Sequence, residues 1–335
     1  MRVLAVRLDN DGDVLLAGPA IRALAAGAEH VTLLCGPRGQ QAAELLPCVD
    51  EVLVWRAPWI DPDPQPVDSD AIAALVDCIA RRRFDRAIVF GSFHQSPLPT
   101  ALVLRMAGVA WIGATSVDYP GSLLDLRHRI DDDVHEVERS LDLVFAAGFE
   151  LAPGDAGELR VSGIARQRPA EEYVVVHPGA SVPARAWAPA CNAELVAALV
   201  AAGRTAVVTG GPSERELTAQ VAAPGAIDLG GATDFAGLAG VIAGADAIVV
   251  GNTGPAHLAA AVGTPVVSLY APTVPAVRWR PWKVPHELLY VDVPCAGCRA
   301  RECPVPGHPC LGGVGVDEVV AAVGRLAALR EGAAA

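Results

Sequence analysis

The run Ala247-Ile248-Val249-Val250 leads straight into Gly251-Asn252-Thr253-Gly254-Pro255-Ala256-His257. Its first four residues form a compact apolar stretch of the kind buried on both faces of a parallel sheet. Small residues then break the strand. An apolar helix is expected over Leu258 to Val262, followed by a second strand from Pro265 to Leu269. Such a break leaves backbone N–H groups and the positive end of a helix dipole facing one point. That point is an anion site, most often for phosphate. The competing reading is a plain turn, since αβ chains need Gly and Thr at strand ends merely to reverse. A second acidic glycine turn, Gly12-Asp13, near the other end of the chain tips the choice toward a site.

Outward from this segment, short β-type runs alternate with helical patterns along the whole chain. Strands are predicted near 2–7, 31–35, 51–55, 86–90 and 110–113, with helices near 15–27, 39–46, 70–82, 97–107 and 133–147. A polar stretch bearing Gly and Pro, about Ala152 to Pro169, interrupts the pattern. It restarts with strands near 173–176, 205–209, 226–228, 246–250 and 265–269 and helices near 189–202, 213–222, 234–243, 255–262 and 316–329. Residues 56–69 and 270–315 read as long loops. Alternation of this kind predicts doubly wound parallel sheets. Two such halves, 1–160 and 161–335, imply a central cleft between them, with the last helix free to pack back on the first half. Ligands bind beyond the carboxyl ends of parallel strands, where both Asp13 and the 251–257 turn fall.

The bulk numbers exclude several classes. A length of 335 residues suffices for two domains with their own cores. The formal net charge of −12 argues against a nucleic-acid binder, which needs a basic face. Lys283 is the only lysine among 26 basic residues, and no lysine lies near a glycine-rich turn, so a P-loop is excluded. The start, Met1 to Arg7, lacks the apolar stretch of a signal peptide. No uninterrupted apolar run reaches the length of a membrane span. A cytoplasmic protein is expected, with at most peripheral contact at the inner face of a membrane. Cys35, Cys48, Cys78 and Cys191, scattered on apolar segments, read as small core residues.

Three glycine turns and one acidic turn carry the chemistry. The first βα turn holds Asp9, Asp11 and Asp13 within five residues, but lacks the Gly and distal Glu of a calcium loop. Asp61-Pro62-Asp63 spells a D-x-D in a proline-rich loop rather than at a strand end, so metal ligation there reads as coincidence. Asp13 suits a helix first turn, and equally places a carboxylate where it can take a proton from a substrate hydroxyl. His177-Pro178-Gly179-Ala180-Ser181 follows a strand directly, with Arg185 in reach of a phosphate. Thr209-Gly210-Gly211-Pro212-Ser213-Glu214 repeats the arrangement, and an acid so placed binds ribose hydroxyls in dinucleotide folds.

Taken together and in order, these segments, with His135-Glu136-Val137-Glu138-Arg139, resemble glycosyltransferase family 9, the ADP-heptose:lipopolysaccharide heptosyltransferases. The resemblance covers nearly the full length. It implies a GT-B architecture of two Rossmann-like doubly wound domains facing the cleft, the first binding acceptor and the second the nucleotide sugar. It also implies inverting transfer with no metal or other cofactor in the chemistry. Asp13 matches the general base. Ser181 and Arg185 match diphosphate contacts, the latter where the family often has Lys. Glu214 matches a ribose-binding acid, and Thr253 and Gly254 the turn at donor phosphates and sugar, with His257 one helical turn on. Asn252 stands where Asp is common and would face the donor sugar with an amide that both donates and accepts. The implied partners are an ADP-heptose-like donor and a glycan or glycolipid acceptor, with domain closure bringing Asp13 to the donor. Two other readings stay open: a nucleotide-sugar 2-epimerase-like isomerase, and a non-catalytic nucleotide-sugar binder.

Acceptor contacts are expected from Ser92 to Ser96, with His94 and Gln95, and from Arg127. Late in the chain, Cys295, Cys298, Cys303 and Cys310 fall within sixteen residues, beside His308. Their spacing is compatible with a structural zinc; free or redox-labile thiols and an iron–sulfur cluster are the alternatives.

Overall fold

The computed structural model describes residues 1–92 and 94–334, the side chains of 330–334 excepted. Phe93, inside the expected acceptor segment, is outside the described residues. The chain divides into two compact units, Met1–Ser162 and Gly163–Ala335.

The first unit runs β1 (Arg2–Arg7), α1 (Asp11–Gly27), β2 (His30–Cys35), α2 (Gln40–Leu45), β3 (Glu51–Val54), α3 (Ser69–Arg82), β4 (Arg86–Val89), α4 (Leu98–Met106), β5 (Trp111–Thr115), β6 (Leu126–His128) and α5 (Glu136–Ala146). Its six strands are all parallel in the order β3-β2-β1-β4-β5-β6. The central strand β1 pairs Val6 with Leu34 on one side and Val89 on the other. Val3 to Val6, Leu33, Ala87 and Ile88 are fully buried, as two-sided coverage by helices requires. Each large apolar side chain so buried contributes about 1.5–3 kcal/mol. Helix ends are closed by side chains: Asp68 accepts from the Asp70 and Ala71 N–H groups at α3, and His135 and Glu138 form a reciprocal cap at α5. Cys48, expected in the core, is exposed with φ of 67°. It sits in the turn between α2 and β3, where the apolar run has already ended.

Arg22 of α1 ties the segment after α5 back to the unit. Its Nε and Nη2 reach Asp155 Oδ2 and Oδ1 at 2.6 and 2.9 Å, and Nη2 also donates to the Glu158 carbonyl at 2.8 Å. The Arg22 guanidinium pulls the Asp155 carboxyl down from 3.8 to about 2. A carboxylate held below its ordinary value stabilises the fold fully above about 4, and that contribution is lost as pH falls toward about 2. Wild-type protein is therefore expected to lose thermal stability across this window more steeply than Asp155→Asn, which starts less stable at neutral pH. Parallel Tm-against-pH curves for the two proteins would remove the pair from this role.

The second unit repeats the plan: β7 (Tyr173–His177), α6 (Pro189–Ala201), β8 (Thr205–Gly210), α7 (Arg215–Val221), β9 (Ile227–Gly230), α8 (Phe235–Gly244), β10 (Ala247–Gly251), α9 (Gly254–Val262), β11 (Val266–Leu269), α10 (Ala276–Trp279), β12 (His286–Leu289), α11 (Pro309–Gly312) and α12 (Val316–Ala334). The sheet order is β12-β11-β10-β7-β8-β9, again all parallel. Counted from β7, this is the order of the first sheet. Val176 of β7 lies between Val208 and Val249. One core cluster joins Val174, Val176, Leu195, Leu199, Val208 and Val249 to Val319, Val323 and Leu326 of α12. That last helix packs against α6 and β10 to β12 of its own unit. The stretch 270–315, expected as loop, holds β12 and two short helices.

Each sheet reverses its winding between its first and fourth strands, at β1/β4 and β7/β10. In an open parallel sheet the crevice beyond the strand ends at that reversal is the ligand position.

Candidate functional site

At the first reversal, β1 ends on Arg7, whose side chain is 2% exposed. Its Nε lies 2.9 Å from Asp9 Oδ2, and its Nη2 donates to both Asp13 Oδ1 and Ser92 Oγ at 3.0 Å. Ser92 comes from the segment after β4, so strand order brings these residues together. Burial alone lowers the Arg7 pKa, but Asp9, Asp13 and Glu136 outweigh it and hold the guanidinium firmly charged. The two carboxylates differ in access: the side chain of Asp9 is 8% exposed and that of Asp13 is 20%. Asp13, in the first turn of α1, is the one that can meet a substrate. Asp13 Oδ1 faces Arg7, and Oδ2 has no partner among the described residues.

Of the remaining acids of this turn, Asp9 shares Arg7 with Asp13 and Asp11 points elsewhere. Burial raises the Asp9 carboxyl, against the pull of Arg7, and Gln95 Nε2 donates to Asp9 Oδ1. Asp11 turns to the far side and accepts the Ala42 N–H at 2.9 Å, while burial pushes its pKa up to about 6. Asp11 thus diverges from the other two. Asp61, of the D-x-D, is held by Arg56 at 3.2 Å and lies near Arg38.

Of the three expected acceptor residues, His94 and Gln95 fall in this cluster, His94 close enough to Asp9 to lower its pKa. Arg127 does not. It lies in the edge strand β6, and its guanidinium donates to the backbone carbonyls of Ser116 and Val117.

At the second reversal, four of the expected donor residues gather on turns that touch one another. Gly179 follows β7, and a Cβ there would overlap the Glu214 carboxylate, so only glycine admits it. Glu214 ends the short helical turn Pro212–Glu214 and accepts the Gly211 N–H at 2.7 Å. His177 Nε2 lies 4.0 Å from the same carboxylate, and its Nδ1 lies 3.0 Å from Thr209 Oγ1. Burial lowers the His177 pKa, against the pull of Glu214. Gly251 ends β10, and a Cβ there would sit 2.6 Å from the Arg185 carbonyl. The Pro183–Arg185 turn therefore packs on the strand end, with Arg185 Nε 3.4 Å from Thr273 Oγ1. Thr253 is the N-cap of α9 but makes no side-chain capping bond, and Gly254 beside it is half-buried. The first turn of α9 thus opens at the strand ends, the arrangement that attracts anions.

Ser181 is exposed on the same loop as Arg185. His257 is buried within α9. Asn252 is bound to the backbone of the neighbouring strand end. It is 5% exposed, its Nδ2 donates to the Ala271 carbonyl, and its Oδ1 accepts the Ala271 N–H, each at 3.2 Å. The amide clamps the ends of β10 and β11; a carboxylate could accept from Ala271 N–H but would leave the carbonyl without its donor.

The four late cysteines are free and, with His308, line one cavity beside Ala184, Pro272 and Thr273. Burial, reinforced by Cys303, Cys295 and Cys298, raises the Cys310 thiol. Among the described residues no three His, Cys, Asp or Glu side chains are gathered so as to hold a metal ion, and a structural zinc, one of the three readings of these cysteines, is not shown. Backbone bonds from Ala184 to Arg301, Gly297 to Pro272 and Arg299 to Thr273 stitch this loop to the turns that carry Arg185 and Thr273. Its visible work is to hold those turns.

Sequence reading placed Ser92 in the acceptor segment, gave Asp9 and His177 only as parts of their turns, and assigned no role to Arg7. The available signal was a polar side chain, Arg7 or His177, closing each of two apolar strands.

The family described as "Glycosyltransferase family 9 (heptosyltransferase)" matches residues 72–308. "Lipopolysaccharide heptosyltransferase 3" of Escherichia coli is 34% identical over 118 residues, 33% of this chain and 34% of that protein. "Lipopolysaccharide heptosyltransferase 1" of Pseudomonas aeruginosa is 32% identical over 177 residues, 50% of this chain and 48% of that protein. The chain thus spans about a third to a half of the length of these curated relatives. A family 9 glycosyltransferase from Veillonella parvula superposes with a TM-score of 0.77 at 17% identity, covering 97% of both chains. E. coli heptosyltransferase WaaC with ADP-2-deoxy-2-fluoro heptose does so with 0.74 at 21%, covering 97% of this chain and 99% of that one. These structures share the two-sheet GT-B fold. Among the described residues no helix is long and apolar enough to cross a membrane.

Proposed function

Since the chain belongs to glycosyltransferase family 9, the heptosyltransferases, we propose that it moves a sugar from a nucleoside-diphosphate donor to a glycan or glycolipid hydroxyl with inversion. One observation carries the reading: the chemistry is divided between the two strand-order reversals. The first offers a carboxylate with one oxygen open. The second offers a cation, glycine-lined close approach and a helix start. An acceptor hydroxyl needs the first set and a diphosphate leaving group the second.

In this mechanism the first unit binds acceptor and the second binds donor. Asp13 accepts the hydroxyl proton as the oxygen attacks the anomeric carbon, and the bond to the diphosphate breaks from the opposite face. General-base help of this type is worth roughly 10²–10⁴ in rate. Charge growing on the diphosphate is met by Arg185, Ser181 and the first turn of α9 at Thr253 and Gly254. With that stabilisation built from side chain and backbone, no step of this mechanism passes through a metal. Glu214, fixed by Gly211 and beside His177, takes the ribose hydroxyls. The identity of the donor as ADP-heptose is drawn from the relatives: two are lipopolysaccharide heptosyltransferases and a structural neighbour carries an ADP-heptose analogue. The acceptor is by the same token a lipopolysaccharide core.

A thermal-shift screen of nucleotide sugars tests the assignment. ADP-heptose is expected to raise Tm, and UDP- and GDP-sugars to leave it unchanged. A larger shift with UDP- or GDP-sugars would overturn the donor, and no shift with any nucleotide sugar would overturn the reading as a whole.

A further inference from the structure

We propose that Arg7 is a positioning residue for the base, held rigid by a closed ring of side chains, and that Asp9 competes with Asp13 for its charge. This rests on the reading of Asp13 as the general base.

The ring is made of four contacts. Arg7 Nε meets Asp9 Oδ2 at 2.9 Å; Gln95 Nε2 donates to Asp9 Oδ1; the Ser92 N–H donates to Gln95 Oε1 at 3.0 Å; and Arg7 Nη2 donates to Ser92 Oγ at 3.0 Å. Asp13 stands outside it and is reached by the same Nη2. The guanidinium is therefore held by contacts that do not depend on Asp13. Folding does not explain it. Val3 to Val6, the residues of β1 before Arg7, are all fully buried, and a cation closing that run carries a desolvation penalty of several kcal/mol that a neutral residue would avoid. Cys35 stands at the equivalent position on the neighbouring strand.

One cation serves two carboxylates. The charges acting on Arg7 are Asp9, Asp13 and Glu136, and those acting on Asp9 are Arg7, Asp13 and His94. Other groups packed around α1 are engaged elsewhere: Asp11 with Ala42, Arg38 with Asp63, Glu44 with Gln40, Glu138 with the His135 backbone. Arg139 of α5 lies 4.0 Å from Asp132. An opposite charge at this range favours the ionised form of a carboxylate and a like charge disfavours it. Removing Arg7 and removing the Asp9 charge should therefore act on the base in opposite directions.

The test is the pH dependence of kcat, read as ADP release from ADP-heptose with a truncated lipopolysaccharide as acceptor. Arg7→Gln is expected to move the acidic limb up by about one pH unit or more, and Asp9→Asn to move it down. Arg7→Gln should also lower kcat at neutral pH by about 10²-fold, as a misplaced catalytic group does. Arg7→Lys should bring the limb back without restoring the rate, because an ammonium supplies the charge but cannot span three partners. The Tm increment given by ADP should be the same in every variant. If Arg7→Gln does not fold, Asp9→Asn and Ser92→Ala decide: the second opens the ring but leaves both ion pairs, so kcat falls several-fold with the limb in place. Limbs that stay put in Arg7→Gln and Asp9→Asn, or shift the same way, overturn the proposal. Asp13→Asn separates the two readings: if that variant keeps its rate, the base assignment fails rather than the positioning one.

Discussion

Asp13→Asn is expected to lower turnover by about 10²–10⁴-fold while leaving donor binding intact. The substitution is nearly isosteric, and the asparagine Oδ1 can still accept from Arg7 Nη2, which lies 3.0 Å from the aspartate oxygen. Arg7 keeps Asp9 and Ser92 as well, so the first turn of α1 should hold its place. What is lost is the second oxygen as a proton acceptor, since an amide nitrogen there donates instead. The measurement is a pair: ADP release with donor and acceptor, and the Tm increment produced by ADP-heptose. A variant that loses rate and keeps the increment has lost the base. Unchanged turnover would remove Asp13 from that role, and a lost increment would place it in donor binding.

The central strands were readable because both of their faces are covered. Val174 to Val176 and Val249 to Val250 are continuous apolar runs, and burial on two sides leaves no other composition. Of the four edge strands, β3 and β9 were read and β6 and β12 were not. Leu126-Arg127-His128 and His286-Glu287-Leu288-Leu289 are short, charged and half-covered, as edges are when they must resist pairing with another chain. Missing β6 made Arg127 look like a loop cation open to an acceptor, whereas the strand aims it at the carbonyls of 116 and 117. The glycine turns at 179 and 251 were legible by type, since chain breaks of this kind require close approach. What approaches was not: the Glu214 carboxylate in one case and the Arg185 carbonyl in the other, each reached only through strand order. Asn252 shows the same limit. Its residue type suggested a ligand contact, but its partner is Ala271, nineteen positions on and brought alongside by the β10–β11 pairing. Arg7 and Ser92 lie 85 residues apart, so no local pattern could join them.

Arg185→Ala should give the second large loss, a fall of about 10²–10³-fold in kcat with weakened ADP binding. The argument starts from what the substitution leaves behind. The Arg185 carbonyl packs on Gly251, the Arg185 N–H donates to the Val182 carbonyl, and the Ala184 N–H donates to the Arg301 carbonyl; all are backbone groups that alanine retains. The turn should therefore survive without its cation. A half-buried guanidinium near Thr273, beside the strand end where α9 begins, is the group whose charge can answer that of a departing diphosphate. Its removal matters more in the transition state than in the ground state, because charge on the leaving oxygen grows as the glycosidic bond breaks. Turnover should thus fall further than ADP affinity. Arg185→Lys should recover part of the rate, since it keeps the charge but not the planar fork. Thr273→Val, which removes only the hydroxyl that steadies Nε, should cost several-fold. The ordering alanine, lysine, valine from largest to smallest loss is the signature of a charge held in position. If alanine at 185 leaves both kcat and ADP affinity unchanged, the diphosphate lies elsewhere, and the first turn of α9 would have to bind it without this cation.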